Sequence, residues 1–152
     1  MSLRPADAYL DFSSVTALVV DDHATTRTLI AEVLRGLGIT RILKAESATE
    51  GWKIVQAGLV DVVFADIELG KEDGLAFVRR IRAAGERRIA GLAIVMVSAH
   101  ATEARVIEAG AMGADSFISK PFSVARFARA VSEGFANRRM LADDRAAATR
   151  EI

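Results

Sequence analysis

Residues 15–22 read VTALVVDD. The run from Val15 to Val20 is apolar apart from Thr16, carries β-branched residues at both ends, and is followed by Asp21 and Asp22. Short apolar runs rich in β-branched residues are typical of buried strands. The pattern therefore predicts a buried strand with two carboxylates after its carboxyl end.

The same arrangement, a short apolar run followed by a stretch with helical spacing, repeats along the chain. Further strands are predicted over 41–45, 60–64, 92–97 and 116–119. The run over 92–97 is the most apolar, which indicates a central strand buried on both faces. Five strands, each followed by a helix after a short connection, predict a single doubly wound α/β domain. Its five-stranded parallel sheet would have helices on both faces.

Capping residues and apolar spacing mark the predicted helices. Ser47 and Glu50 have the spacing of a capping box, and Thr102 and Ser123 stand where the last two helices begin. Several apolar residues at helical spacing are expected to face the core: Leu29, Leu59, Val106, Ile107 and Val124. The segment 68–73, after the third strand, is expected to be a polar loop.

The predicted domain spans residues 13–137. Residues 1–12 lack a clear pattern and are expected to be a lead-in without a secretory signal. Residues 138–152 are rich in alanine and charge, and three alternatives stay open for them. They form an extension of the last helix, a frayed end, or a segment that docks on a partner.

The composition narrows the class of protein. The chain has 152 residues, 51% hydrophobic and 26% charged, which fits one domain with a sizeable core. Twenty basic and twenty acidic residues give zero formal net charge, so neither nucleic acid nor a membrane is the expected partner. The absence of cysteine excludes disulfides and thiolate chemistry and fits a reducing, cytoplasmic compartment.

Polar side chains follow four of the predicted strands. They are Asp21, Asp22, Asp66, Ser98 and Lys120. Ligands of open parallel sheets bind at the carboxyl ends of the strands, so these residues are expected to meet at one edge. Three close carboxylates favour a hard divalent cation such as Mg²⁺, and a lysine suits a phosphoryl oxygen. The set predicts phosphoryl chemistry on a carboxylate.

Four sequence strings, in this order and spacing, resemble the receiver domain of two-component response regulators. They are VVDDHATTR at 19–27, VFADIELGKEDG at 63–74, VMVSA at 95–99 and SFISKPF at 116–122. The resemblance covers about residues 15–135 and is closest to single-domain regulators of the CheY-like type. It implies a flavodoxin-like sheet with the strand order 2-1-3-4-5.

The resemblance also implies roles for individual residues of the site. Asp66 is the implied phosphoacceptor, and Lys120 is the implied cation that senses the phosphoryl group. Asp21 and Asp22 are the implied ligands of Mg²⁺, directly or through water, and the backbone carbonyl of Glu68 completes the ligand set.

Two further residues are implied as a conformational switch. Ser98 is the implied switch hydroxyl, although it could also cap a helix. Phe117 is the implied switch aromatic, although it could be ordinary core. The bond between Lys120 and Pro121 is implied to be cis.

The sequence departs from the family pattern beside the acceptor. Gly70 stands where the family often has proline, so a looser loop is expected, and Glu72 stands where methionine is common. Glu68 and His100 occupy variable positions that tune the lifetime of the phosphoryl group in such proteins. We expect these two side chains to bridge the site and screen it from water. A Glu68 that orients the water as a base is the open alternative.

Other candidate ligands have plainer interpretations. His23 and His100 have no second soft ligand at metal spacing and are expected to be exposed loop residues. Asp115 is expected to shape the turn before the fifth strand. A basic cluster near the end of the third helix is interpreted as a solvated face: Arg79, Arg80, Arg82, Arg87 and Arg88.

Together these expectations describe a stand-alone phosphoreceiver of a two-component phosphorelay. A sensor histidine kinase or a phosphotransfer protein is the expected donor, and a downstream protein is the expected target. The chain is not expected to be an enzyme beyond its own phosphorylation and dephosphorylation. One alternative is a haloacid-dehalogenase-like, Mg²⁺-dependent phosphohydrolase, which would want a second aspartate where Glu68 stands. The other is a phosphorylation-independent interaction module with the same fold.

Overall fold

A five-stranded parallel sheet forms the centre of the molecule. The computed structural model describes residues 12–150, with side chains through residue 138, so the expected lead-in lies outside the described residues except for its last one. The strands of the sheet are β1 (Thr16–Val20), β2 (Arg41–Ala45), β3 (Val62–Ala65), β6 (Ala93–Ser98) and β7 (Ser116–Ser119). Their order is β2-β1-β3-β6-β7, and all neighbouring pairs are parallel. Counted within the sheet, this is the predicted order 2-1-3-4-5, so the predicted fold is confirmed.

Six α-helices lie within the described residues 12–150. They are α1 (Ala24–Gly36), α2 (Ala48–Gln56), α3 (Gly74–Arg82), α4 (Arg87–Ala90), α5 (Glu103–Met112) and α6 (Val124–Arg150). The hydroxyls of Ser47, Thr102 and Ser123 each accept the N–H three residues further on, as predicted for helix caps. α6 continues past the predicted domain boundary at residue 137, and the boundaries themselves stay a prediction. Within the described residues, no helix is long and apolar enough to span a membrane.

Successive residues of the sheet alternate between two hydrophobic layers. In β1, Leu18 and Val20 lie in one layer and Ala17 and Val19 in the other, and all four are at most 1% exposed. The first layer is covered by α2, α3 and α5, and the second by α1 and α6. Because both faces are closed, ligands can reach the sheet only at its edges.

Several apolar residues predicted to face the core are exposed instead. The exposed fractions are 70% for Leu59, 65% for Ile107, 60% for Val124, 49% for Leu29 and 40% for Val106. α2 ends before Leu59, so the helical period that predicted its burial no longer applies there. α5 meets the core through the small, buried Ala109, which leaves Val106 and Ile107 on its outer side.

The polar loop expected over 68–73 is a short antiparallel hairpin of β4 (Glu68–Leu69) and β5 (Glu72–Asp73). Gly70 and Lys71 form its two-residue turn. Gly70 has a φ of +64°, in a region that the proline ring cannot adopt. Glycine at this position therefore permits a tight hairpin turn in place of the looser loop that was expected.

Arg82 belongs to a buried ionic network and not to a solvated face. Its side chain is 15% exposed, and it donates to the carboxylate of Asp115 at 2.9 Å and to three backbone carbonyls. The Asp115 side chain is 2% exposed, accepts the N–H of Ile94 at 2.8 Å and also bonds Arg138. Asp115 therefore joins α3, β6 and α6, and its expected role in shaping the turn before β7 stays a prediction.

Candidate functional site

Three charged side chains meet at the carboxyl edge of the sheet. Asp21 follows β1, Asp66 follows β3 and Lys120 follows β7. The Nζ atom of Lys120 lies 2.9 Å from Oδ2 of Asp21 and 2.8 Å from Oδ2 of Asp66. The side chains of Asp21, Asp66 and Lys120 are 1%, 9% and 19% exposed. The structure thus brings together three of the residues that the sequence singled out.

The two carboxylates keep Lys120 charged. Partial burial acts to lower the pKa of Lys120, but the hydrogen bonds and negative charges of Asp66 and Asp21 outweigh it, so the pKa is raised above its ordinary value. Lys120 is therefore a cation shared between two carboxylates. Its peptide bond to Pro121 is cis, and its N–H donates to the carbonyl of Ser98 at 2.9 Å.

The backbone of the predicted phosphoacceptor packs against the start of α3. The N–H of Gly74 donates to the carbonyl of Ile67 at 2.6 Å. A Cβ atom at position 74 would lie 1.9 Å from the carbonyl oxygen of Asp66, so a side chain cannot fit there. The Oδ1 atom of Asp66 accepts the N–H of Glu68 at 3.1 Å, while Oδ2 contacts Lys120. Both carboxylate oxygens of Asp66 are thereby held in place.

An open cavity of about 220 Å³ lies in front of this carboxylate. It is lined by Asp22, His23, Asp66, Glu68, Gly70, Ala99, His100 and Lys120. One ligand atom from each of Asp21, Asp22 and His23 lies within 4.8 Å of the others. Hard carboxylate oxygens beside an open cavity are the donors that Mg²⁺ prefers, since this ion keeps several waters. The residues present therefore fit the expected Mg²⁺ site.

Two residues near the acids were not assigned to the site from the sequence. His23 is 71% exposed, as predicted for a loop residue, but its Nδ1 atom lies 3.2 Å from Oδ1 of Asp22 and 3.4 Å from Oδ1 of Asp21. Arg27 donates from its guanidinium to the carbonyl of Asp21 at 2.6 Å. Its place in the first turn of α1, just after the two aspartates, is the signal that could have identified it.

Glu68 and His100 face each other at the mouth of the cavity. Oε2 of Glu68 lies 3.6 Å from Nε2 of His100, and the side chains are 55% and 66% exposed. This separation is longer than a hydrogen bond, so the pair is an exposed ionic contact when His100 is protonated. The bridge predicted between Glu68 and His100 requires the two side chains to lie close together at the mouth of the cavity, as they do here. The effect of such a bridge on the lifetime of the phosphoryl group stays a prediction.

The two predicted switch residues lie on β6 and β7, outside the set of described residues that line the cavity. Ser98 is fully buried, and its hydroxyl accepts the N–H of His100 at 3.2 Å. This bond shapes the loop before α5, whose cap is Thr102, so Ser98 does not cap the helix. Phe117 is partly buried and packs against the layer that α2, α3 and α5 cover.

The sequence of this chain matches one family of proteins. The family model described as the response regulator receiver domain matches residues 17–132, which is most of the chain. The chain therefore belongs to the response regulator receiver domain family, and its type is CheY-like.

Individual relatives show how far the similarity reaches. The chemotaxis protein CheY of Pseudomonas aeruginosa is 32% identical over 106 residues, which cover 70% of this chain and 84% of that protein. The solved receiver domain of NtrX from Brucella abortus is 30% identical with a TM-score of 0.69, covering 78% of this chain and 96% of that one. A longer NtrX chain from the same organism, solved with ADP, is 26% identical with a TM-score of 0.73. That match covers 88% of this chain but spans only 29% of the longer one.

Proposed function

We propose that this chain is a stand-alone phosphoreceiver of a two-component phosphorelay in which Asp66 accepts the phosphoryl group. The contact at 2.8 Å between Oδ2 of Asp66 and Nζ of Lys120, beside an open cavity, carries the proposal. A strand-end aspartate alone is often a turn residue. Asp66 instead shares Lys120 with a second buried carboxylate, that of Asp21. A change of charge on Asp66 therefore alters the contacts of this lysine.

The proposed step transfers a phosphoryl group from a phosphohistidine of the donor protein to Asp66. A bond forms between a carboxylate oxygen and phosphorus while the phosphorus–nitrogen bond breaks, and the leaving imidazole takes up a proton. Positioning and neutralisation of charge are what such a transfer needs from the protein. Mg²⁺ held by Asp21, Asp22, Asp66 and the carbonyl of Glu68 would supply part of that neutralisation.

Phosphorylation of Asp66 changes the hydrogen-bond partners of two side chains at the carboxyl ends of neighbouring strands, Ser98 of β6 and Lys120 after β7. New phosphoryl oxygens on Asp66 offer Lys120 a stronger anionic partner than the present carboxylates. The hydroxyl of Ser98 accepts the N–H of His100 and still has its own hydrogen to donate to a phosphoryl oxygen. Because these residues lie on or directly after β6 and β7, their movement biases the surface of those strands, including Phe117. A downstream protein reads that surface.

The proposed partners follow from the same chemistry. A sensor histidine kinase or a phosphotransfer protein supplies the phosphoryl group, and the chain acts by contact with a protein and not as an enzyme with a separate substrate. Zero formal net charge supports a partner other than nucleic acid or a membrane surface. The absence of cysteine supports a cytoplasmic location.

Reaction with small phosphoryl compounds tests the proposal against its two alternatives. We expect acetyl phosphate with Mg²⁺ to label the protein stoichiometrically, and p-nitrophenyl phosphate to show no sustained turnover. Continuous hydrolysis of p-nitrophenyl phosphate would instead identify a phosphohydrolase of the haloacid-dehalogenase type. No label from any phosphodonor would identify a phosphorylation-independent interaction module.

A further inference from the structure

Glu72 joins the β4–β5 hairpin to the amino end of α2. The Oε1 atom of Glu72 accepts the N–H of Ala48 at 3.0 Å. Its Oε2 atom accepts two bonds from Thr49, one from the backbone N–H at 3.2 Å and one from the side-chain hydroxyl at 2.8 Å. Ala48 and Thr49 are the first residues of α2, and N–H groups at this end of a helix have no partner within it. A carboxylate placed there also interacts favourably with the helix dipole.

The same residue is part of the hairpin beside the predicted phosphoacceptor. Where β4 and β5 pair, Glu72 lies opposite Leu69, and Asp73 lies opposite Glu68. Leu69 is 3% exposed and anchors β4 in the core. The N–H of Glu68 donates to Oδ1 of Asp66 at 3.1 Å, and because Glu68 belongs to β4, a shift of the hairpin would move the donor of this bond.

We propose that Glu72 is a positioning residue for the phosphoacceptor site: by its bonds to α2 it holds the hairpin so that Glu68 stays in place beside Asp66. The proposal rests on the proposed function, because it concerns the Mg²⁺ affinity of that site. Methionine is similar to glutamate in size but has no oxygen to accept the N–H groups of Ala48 and Thr49. Glutamate therefore adds a link between α2 and the site that methionine cannot make.

Glu50 offers a matched control, because its carboxylate also lies at the amino end of α2. Its Oε2 atom accepts the N–H of Glu46 at 3.2 Å, and its own N–H donates to the hydroxyl of Ser47 at 3.1 Å. These partners belong to the loop before α2 and not to the hairpin. Loss of either carboxylate weakens the same helix end, but only loss of the Glu72 carboxylate disconnects the hairpin.

The test compares Glu72→Met, Glu72→Gln and Glu50→Gln in the full chain. Calorimetric titration gives the Mg²⁺ dissociation constant, and NMR gives the hydrogen-exchange rate of the Glu68 amide in metal-free buffer. In Glu72→Met we expect the dissociation constant to rise about threefold or more and the exchange to become faster. In Glu72→Gln, which keeps one acceptor oxygen, we expect smaller changes in the dissociation constant and in the exchange rate. In Glu50→Gln we expect both quantities to stay at their wild-type values.

Wild-type affinity and exchange in Glu72→Met would overturn the proposal, and so would an equal change in Glu50→Gln, because Glu72 would then only cap a helix. If the wild-type chain binds no Mg²⁺, the proposed function fails, while the exchange comparison still decides the role of Glu72. Thr49→Val removes the hydroxyl donor at 2.8 Å and is expected to have a smaller effect. That effect should disappear in the Glu72→Met background, and additive effects would count against the link.

Discussion

The Nζ atom of Lys120 lies 2.8 Å from Oδ2 of Asp66, a residue 54 positions earlier in the chain. The contact joins the carboxyl ends of β7 and β3, which are separated in the sheet by β6. The same ammonium group also contacts Asp21, so its position depends on the balance between two carboxylates. Lys120 therefore connects the carboxylate of Asp66 directly to the carboxyl end of β7.

The stability that this contact provides is expected to fall at alkaline pH. Because the folded-state pKa of Lys120 is raised, its contribution is complete below the ordinary lysine pKa, about 10.4, and is lost as the pH rises through the folded-state value. In metal-free buffer, wild type should be more stable than Lys120→Met at neutral pH, and the difference should shrink above about pH 10.4. Urea unfolding over a pH series measures it. Lys53→Met, on an exposed face of α2, is the control, and a difference that stays constant with pH would contradict the account.

Replacement of Gly74 by alanine is expected to damage the site as well as the fold. The new Cβ would lie 1.9 Å from the carbonyl oxygen of Asp66, so α3 or the acceptor backbone must move. Overpacking of this kind costs about 1–3 kcal/mol. Gly110→Ala is the matched control: a Cβ at that helical position meets nothing within 4 Å, and alanine should stabilise the helix by about 0.5–1 kcal/mol. Urea unfolding that shows equal effects for the two variants would contradict the packing argument.

Glu68 and His100 are expected to slow the loss of phosphate by screening the acceptor from water. Because an exposed pair is worth about 0.2–1 kcal/mol, Glu68→Ala and His100→Ala should each lose phosphate about 1.5- to 5-fold faster. The double variant should be no faster than the faster single one, since one contact is lost in all three. Decay of the labelled protein after removal of the phosphodonor measures the rate, with Glu103→Ala as a surface control. Slower loss in Glu68→Ala would show that Glu68 orients the water instead.

Asp115 is expected to contribute more to stability than any exposed ion pair. Asp115→Ala removes the buried carboxylate partner of Arg82 and the acceptor of the Ile94 N–H, and breaking a buried pair in this way costs about 3–5 kcal/mol. Glu86→Ala removes the exposed contact with Arg88 at 3.1 Å and should cost at most about 1 kcal/mol. Both are measured by urea unfolding. A loss for Asp115→Ala no larger than that of the control would mean that the network is dispensable.

The sheet and the contact at its edge could be predicted because both follow from local patterns. The three central strands, β1, β3 and β6, are short apolar runs, and Asp21, Asp66 and Lys120 come directly after β1, β3 and β7. Parallel strands bring their carboxyl ends to one edge, so the three side chains converge without any information about distant contacts.

Features that depend on distant partners could not be predicted in the same way. Nothing near Glu72 in the sequence distinguishes it from a solvated glutamate, because its partners lie 23 and 24 residues earlier. Arg82 stands in a run of arginines, and its burial depends on Asp115, 33 residues later. Ile107 fits the helical period yet is 65% exposed, because spacing defines a face without telling whether another element packs on it.

Mass spectrometry of the full chain after reaction with acetyl phosphate locates the phosphoryl group. We expect a stoichiometric label on the peptide that contains Asp66, only when Mg²⁺ is present, and no label in Asp66→Asn. Asp61→Asn, which alters an aspartate that accepts the N–H of Thr16 near the start of β1, should label like wild type. Stoichiometric labelling of Asp66→Asn, or equal labelling of wild type without Mg²⁺, would contradict the assignment of Asp66 as the Mg²⁺-dependent phosphoacceptor.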